Sequence, residues 1–510
     1  MKNLIAYSLK IAFNCLLLFA ITFSTQAQKQ LNSADFKTPP SGVKVHTWWH
    51  WLDGNITKEG ITKDLEAMHE QGIVRATILN VGLFGERDFG VKKVNFNTPE
   101  WFEMFQWALK EANQLGITIG AHNCDGWSTS GGPWITPEMS MKQYVWTKTI
   151  VNASQKGSIK LKQPYANRDF YKDEVVVAVK SAGPLNSFQL AAPVAQLNDN
   201  KNADFISDGC PSSGVPVGRG DQITFKFKDA YTAEKITILP RVTFMWANPG
   251  ESASTYSLSS SNDGINYSKI TEFTVKGLNK MASVSFERTS AKFFQLSLIK
   301  TSTMDGWIPL TIAECELLPS NEKPLYTSEI EYLSEKTGNV KAASESNFYN
   351  PIVSSVPNNV KDVIDITSKM SSDGTLNWKP KEGNWTVIRF GYTTTGMVNS
   401  PATASGTGLE CDKMDTAALN LHFNNFPLRL IEKAGSFAGN TFKFMLIDSW
   451  EAGYQNWTGN MMKEFEKRRG YALTSYIPVL CGESSGSTEV DEAVLYDFRR
   501  TFRFPLLSSP

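Results

Sequence analysis

The chain has 510 residues, with 51 Lys+Arg against 51 Asp+Glu, and is 41% hydrophobic and 12% aromatic. A formally neutral chain lacks the basic excess that neutralises nucleic-acid phosphates, and this apolar content excludes wholesale disorder. At about 150 residues per domain, the length predicts three or four domains.

Lys2 and Lys10 flank the start of an apolar run from Ile11 to Phe23. The run is shorter than the about 20 residues a membrane span needs. Thr25 and Ala27 then stand at −3 and −1 of a cleavage site before Gln28. The pattern is that of a secretory signal over residues 1–27, with a membrane anchor as the alternative. Cys15 lacks the small-residue context of a lipoprotein site. No later stretch is long and apolar enough to span a bilayer. Cleavage leaves 49 basic and 51 acidic residues, and five cysteines: Cys124, Cys210, Cys315, Cys411 and Cys481. There is no CxxC pair, so zinc-ribbon and thioredoxin-like motifs are excluded. A Cys210–Cys315 bridge and buried thiols are both open readings.

Residues 43–51 read as a strand, and 57–71 as a helix with Ile61, Leu65 and Met68 on one face, Thr57 as cap and Gly72 as stop. Arg75–Val81 is a second strand, Pro99–Leu115 a second helix and Ile117–His122 a third strand. This alternation predicts a parallel sheet with helical crossovers, an α/β fold of the β/α-barrel type. From about 145 to 345 the pattern becomes helix-poor. Val175–Lys180, Ile223–Phe227, Ile236–Leu239, Tyr256–Ser259 and Phe293–Ile299 are strand-like runs between Gly, Ser, Asn and Asp turns. Residues 185–320 read as an inserted β-sandwich. Leu376–Trp378 and Trp385–Tyr392 add β structure. The alternating pattern resumes near 412 with a helix over Asp415–Ala434, a strand over Phe442–Ile447, and helices over Thr458–Arg469 and Glu489–Arg500. The predicted organisation is therefore a signal (1–27), a first part of the barrel (28–145), a β-rich connection (146–184), the sandwich (185–320), a β-rich segment (321–400) and a continuation of the barrel (401–510).

In a β/α barrel, functional side chains gather at the C-terminal strand ends. Trp48-Trp49-His50-Trp51 there runs into Asp53-Gly54-Asn55, and His122-Asn123-Cys124-Asp125-Gly126-Trp127 follows the third strand. Asp448-Ser449-Trp450-Glu451 follows the apolar run Phe442–Ile447. A carboxyl beside an indole, partly desolvated, can hold a proton near neutral pH, as a general acid to a departing sugar oxygen must. A helix cap or loop turn is the structural alternative for these carboxylates. The Trp residues are core or sugar platforms, and the histidines core or ligand. Glu410 and Asp412, in Gly408–Lys413, can bind sugar hydroxyls or Ca²⁺, or cap a helix with Asp412. Of the 14 Trp, eight fall between Trp48 and Trp146. The sandwich, nearly free of Trp, suits a scaffold role slightly better than a sugar-binding one.

The segments 48–73, 122–134, 408–415 and 448–458, followed by 465–471, together resemble the glycoside hydrolase family 106 α-L-rhamnosidases of Bacteroidetes. The resemblance implies a (β/α)8 barrel with β-sandwich insertions, release of terminal α-L-rhamnose with inversion, and calcium in the active site. It matches Glu451 to the general acid, with Asp448 a neighbouring acidic residue of the same motif. It makes Trp49, His50, Asn55, His122, Asp125, Trp127, Glu410, Asp412 and Trp450 candidates for contact with the carbohydrate. The N-terminal signal pattern implies export to the periplasm, cell surface or medium. Family members are much longer, which implies an incomplete barrel here and a second catalytic carboxylate beyond residue 510. Residues 256–270 resemble a discoidin or galactose-binding-like jelly roll.

Overall fold

The computed structural model describes residues 33–38, 43–85, 87–154, 157–180, 186–198, 201–242, 252–302, 310–324, 362–448, 450 and 452–503. The signal segment 1–27 lies outside the described residues, as does Glu451.

Strand β1 (Val45–Leu52) leads through Thr57 into helix α1 (Lys58–Glu70), where the Thr57 hydroxyl accepts the Gly60 N–H. That bond satisfies one of the free donors of the first turn. Strand β2 (Ile73–Val81), helix α2 (Pro99–Gln114) and strand β3 (Thr118–His122) follow. Thr98 caps α2 and Pro99 occupies its first turn, where no amide donor is needed. Much later, strand β12 (Phe442–Leu446) pairs in parallel with β3. The result is a parallel sheet in the order β1-β2-β3-β12. Among the described residues this sheet has four strands.

One face of the sheet is covered by helices. Trp49 and Trp51 of β1, Ala76 and Ile78 of β2, and Ile119 and Ala121 of β3 pack against Ile61, Leu65, Phe105 and Leu430. Trp48 and His50 alternate to the opposite face and are exposed, as the two-residue period of a strand requires. The four neighbouring aromatics therefore do not act as one group.

A second, antiparallel sheet is assembled from distant pieces. Strands β4 (Lys142–Asn152), β5 (Lys172–Lys180) and β11 (Asn384–Thr394) form it, with Ile364–Asp365 at one edge. Against it pack the buried Trp457, Phe465, Leu480 and Phe498 of the C-terminal segment. The segments before and after the insert thus share one sheet.

Between them lies the inserted β domain. It contains strands β6 (Gln222–Arg241), β7 (Ala253–Ser261), β8 (Ser268–Lys276), β9 (Ala282–Thr301) and β10 (Leu310–Leu318). The central path of its seven-stranded sheet runs β8-β7-β9-β6-β10. Runs expected as separate strands at Ile223–Phe227 and Ile236–Leu239 are two parts of the 20-residue β6. Exposed Lys228, Asp229 and Ala230 interrupt its apolar pattern but not its backbone. Strands β6 and β9 pair on both sides of register shifts, and both halves feed one core containing Phe225, Ile238, Leu258 and Phe294.

Two further corrections follow from packing. The helix expected over Asp415–Ala434 is two helices, α3 (Thr416–Asn425) and α4 (Pro427–Ala434), because Pro427 has no N–H to continue the ladder. Asp415, not Asp412, caps α3 by accepting the Ala417 N–H. Cys210 and Cys315 are both buried free thiols. They belong to different cores, Cys210 with Tyr144 and Cys315 with Phe225. Helices α5 (Met461–Arg469) and α6 (Thr488–Arg503) close the described chain, and Gly470 ends α5 in the left-handed region.

Candidate active site

The C-terminal ends of β1, β2, β3 and β12 converge on residues 53–55, 80–82, 122–125 and 447–448. A distant segment, Thr395–Asp412, lies across them. Its backbone is stapled down by Gly82 N–H to Pro401 O (3.1 Å), Asn399 Nδ2 to Asp125 O (2.9 Å) and Ser400 N–H to the Ser128 hydroxyl (2.7 Å). This brings Glu410 and Asp412 beside the strand ends, more than 270 residues from the β3 loop in sequence.

Asp125 is the centre of the staple. Its Oδ1 accepts Asn80 Nδ2 (2.8 Å), and its Oδ2 accepts the Thr403 N–H (3.0 Å) and the Thr403 hydroxyl. Trp101 Nε1 donates to Asn80 Oδ1 (3.0 Å) and so fixes that amide. A side chain at Gly406 would overlap the Asp125 carboxyl, so the loop's close approach requires glycine there. Burial pushes the Asp125 carboxyl up to about 7, against the lowering effect of these donors. Asp125 is fully enclosed and its oxygens are engaged. It clamps the loop and is not open to a sugar.

Glu410 is also fully buried. Its Oε2 accepts Lys413 Nζ (2.6 Å) and the Ser130 hydroxyl (2.9 Å), while Oε1 has no hydrogen-bond partner. Lys413 Nζ lies 4.7 Å from the centre of the Trp450 ring, a cation–π contact in a desolvated setting. Trp450 Nε1 donates to Gly453 O (2.6 Å), which fixes the ring directly before Glu451 in the chain. Asp412 is held by Lys142 Nζ (3.1 Å), the Thr458 hydroxyl (2.8 Å), the Met414 N–H (3.0 Å) and Gln455.

His122 ends β3. Its Nδ1 donates to Cys124 O (3.1 Å), which leaves Nε2 as acceptor for the Asp448 N–H (3.4 Å). Burial lowers its pKa, so this neutral tautomer is the resting form. The Asp448 backbone is thereby tied to β3, and its carboxylate is partly exposed. His50 and Trp127 meet edge to face with centroids 6.2 Å apart, on the open side of the sheet.

Two residues expected at the rim sit elsewhere. Trp49 is in the helix-facing core, where its Nε1 donates to Asp64 Oδ2 on α1 (2.8 Å). Asn55 closes the turn after β1 by donating Nδ2 to Leu52 O (3.0 Å).

His422 was not anticipated. It lies on α3, and its Nε2 donates to Asn123 O (3.0 Å) while its buried Nδ1 has no partner. Burial holds its pKa down at about 4. The sequence signal was only a histidine on an otherwise apolar helical face, which does not distinguish core from site.

Calcium takes six to eight oxygen ligands. The oxygens of Asp125 and Asp412 are already engaged, and no group of three His, Cys, Asp or Glu suited to a metal occurs among the described residues.

Comparison with known proteins gives the class. The family model of glycoside hydrolase family 106, alpha-L-rhamnosidase, matches residues 37–505. The chain belongs to that family. A solved rhamnosidase from Novosphingobium sp. PP1Y is 28% identical and aligns over 93% of this chain and 45% of its own, with a TM-score of 0.63. A curated protein of Formosa agariphila named putative beta-glucuronidase is 28% identical over 91% of this chain and 28% of its own length. The chain therefore spans less than half the length of both. A Clostridium perfringens carbohydrate-binding module solved with GalNAc-β-1,3-galactose matches 26% of this chain at 22% identity and a TM-score of 0.20. Among the described residues, no helix is long and apolar enough to cross a membrane.

Proposed function

We propose that this chain carries the site of an exported glycosidase that removes terminal α-L-rhamnose from glycans with inversion, on a (β/α)8 barrel. The observation that carries the reading is the match to the solved rhamnosidase over 93% of the chain at a TM-score of 0.63, within a family match over residues 37–505. In this reading Glu451, following Trp450, protonates the departing glycosidic oxygen. Asp448, three residues before it in the sequence, follows the end of β12. An inverting reaction seats water between two carboxyls about 6.5–9.5 Å apart, so the water-activating carboxylate belongs to a different strand end. His50, Trp127 and Trp450 supply aromatic edges and faces to the sugar.

The name of the Formosa relative suggests a second reading, a glucuronidase. A glucuronide brings a carboxylate that calls for a cation. The ammonium groups of Lys142 and Lys413 are already paired with Asp412 and Glu410. This favours a neutral sugar. The test is incubation with 4-nitrophenyl α-L-rhamnoside and 4-nitrophenyl β-D-glucuronide. Release of L-rhamnose, lost in Glu451→Gln, is expected. Cleavage of the glucuronide alone would overturn the reading.

A further inference from the structure

The loop between β2 and α2 carries an apolar patch that neither the sheet nor the helices use. Leu83, Phe84, Phe89 and Val91 are each between 37 and 48% exposed. Phe84 and Phe89 meet edge to face with centroids 5.7 Å apart, and the Arg87 guanidinium lies 5.7 Å from the Phe84 ring centre. Contiguous exposed apolar groups of this kind in a surface loop mark a binding surface more often than scattered single residues do.

The patch is held in place. The Phe84 N–H donates to Asp53 Oδ2 (2.9 Å), and Asp53 itself is buried with a left-handed φ of 51° at the end of β1. The Val94 N–H donates to Gly54 O (2.9 Å) and Lys93 Nζ to Gly85 O (2.7 Å). Both ends of the loop are thus anchored to the turn after β1. Gly82, where it leaves β2, is bound to the segment that delivers Glu410.

Its position gives it an occupant. The patch emerges from the same end of the sheet as Asp448. In the sheet order β2 stands two strands from β12, so the axes of these two strands are about 10 Å apart. That is within the span of a small glycoside whose terminal sugar sits over β3 and β12. We infer that the Gly82–Val91 loop is the leaving-group subsite, and that the leaving group it favours is apolar and flat, an aryl or similarly hydrophobic aglycone. This rests on the rhamnosidase reading for the sugar that accompanies the aglycone.

The chemistry matches. An aromatic ring in the leaving group would cover two phenyl rings arranged edge to face and lie within reach of the Arg87 cation. A hydrated polysaccharide would gain little from Leu83 and Val91. The binding gain for the aglycone comes from apolar area removed from water, and about tenfold in affinity is a reasonable size for one aromatic ring partly covered.

The experiment is calorimetric titration of the whole chain with methyl α-L-rhamnoside and with 4-nitrophenyl α-L-rhamnoside, with free 4-nitrophenol as a control. The aryl glycoside is expected to bind about tenfold more tightly than the methyl glycoside. In the double variant Phe84→Ser/Phe89→Ser the difference disappears, while affinity for the methyl glycoside is unchanged. Retained methyl-glycoside binding shows that the variant is folded, and Arg87→Gln provides a milder second variant expected to lose two- to threefold on the aryl ligand alone. Equal affinity for both glycosides in the wild type, or an aryl preference that survives the double variant, overturns the subsite while leaving the rhamnosidase reading intact. Binding of neither rhamnoside overturns the rhamnosidase reading and the subsite with it.

Discussion

The strand-end region and the inserted β domain both bury carboxyl groups, and they stabilise them differently. At the strand ends Glu410 and Asp412 are matched with Lys413 and Lys142, and Asp125 with amide and hydroxyl donors. In the insert, Asp208 and Glu314 are buried next to one another. Asp208 accepts the Ser213 hydroxyl (2.8 Å) and the Cys210 N–H (2.8 Å), but both Glu314 oxygens lack a hydrogen-bond partner. Burial pushes Asp208 up to about 7 and Glu314 well above the usual range, and the neighbouring Asp208 raises Glu314 further. One region matches each carboxyl with a cation or with neutral donors in defined places. The other buries two acids beside one another.

The largest test of that contrast is removal of a cation from the site. Lys413→Met leaves Glu410 buried without its counter-charge and is expected to cost about 3–5 kcal/mol in urea denaturation. Adding Glu410→Gln should recover most of the loss. A cost below about 1 kcal/mol would mean the pair is not what holds this region. Next, Asp125→Ala leaves Asn80 Nδ2 and the Thr403 N–H without an acceptor, an expected loss of about 2–3 kcal/mol. Faster proteolytic cutting within residues 399–407 should accompany it.

A smaller effect, of opposite sign, is expected in the insert. Glu314→Gln removes a buried acid and gives Asp208 an amide donor. At pH 8 it should stabilise the protein by on the order of 1–2 kcal/mol, and at pH 4, where both carboxyls are protonated, by almost nothing. The sign follows from proton binding. With a folded pKa of about 7 against about 3.9 unfolded, Asp208 binds more protons in the native state. Its contribution is therefore present below about pH 4 and lost as pH rises towards 7. At the strand ends Asp125 has the same sign, but His422, held down at about 4, opposes it by losing stability as pH falls from about 6.5. The alkaline decline should therefore be read mainly in the insert, and Glu314→Gln should flatten it. The smallest change is Trp49→Phe, which removes the bond to Asp64 and should cost about 1 kcal/mol in stability.

Much of the parallel α/β part was legible. The Thr57 cap, Pro99 in a first turn, the Gly72 and Gly116 stops and the apolar run before Asp448 mark element ends by local chemistry, and the structure has elements there. The site was legible only where its parts are contiguous. For the Trp residues the sequence left core and sugar platform both open, and strand alternation decides between them, sending Trp49 to the core and His50 to the open face. Asp125 looked like a ligand because nothing local shows that Thr403 covers it from 278 residues away. His422 was missed for the same reason, since its partner Asn123 lies 299 residues earlier. Long-range closure, not local propensity, decides which polar groups at strand ends remain available.

The central claim is that an acid in the segment after β12 cleaves an α-L-rhamnoside with inversion. Proton NMR of the anomeric signal during turnover of 4-nitrophenyl α-L-rhamnoside tests it most directly. The first sugar formed should be β-L-rhamnose, and Glu451→Gln should abolish its formation while leaving binding of methyl α-L-rhamnoside intact. First appearance of the α-anomer, or undiminished release by Glu451→Gln, would contradict it.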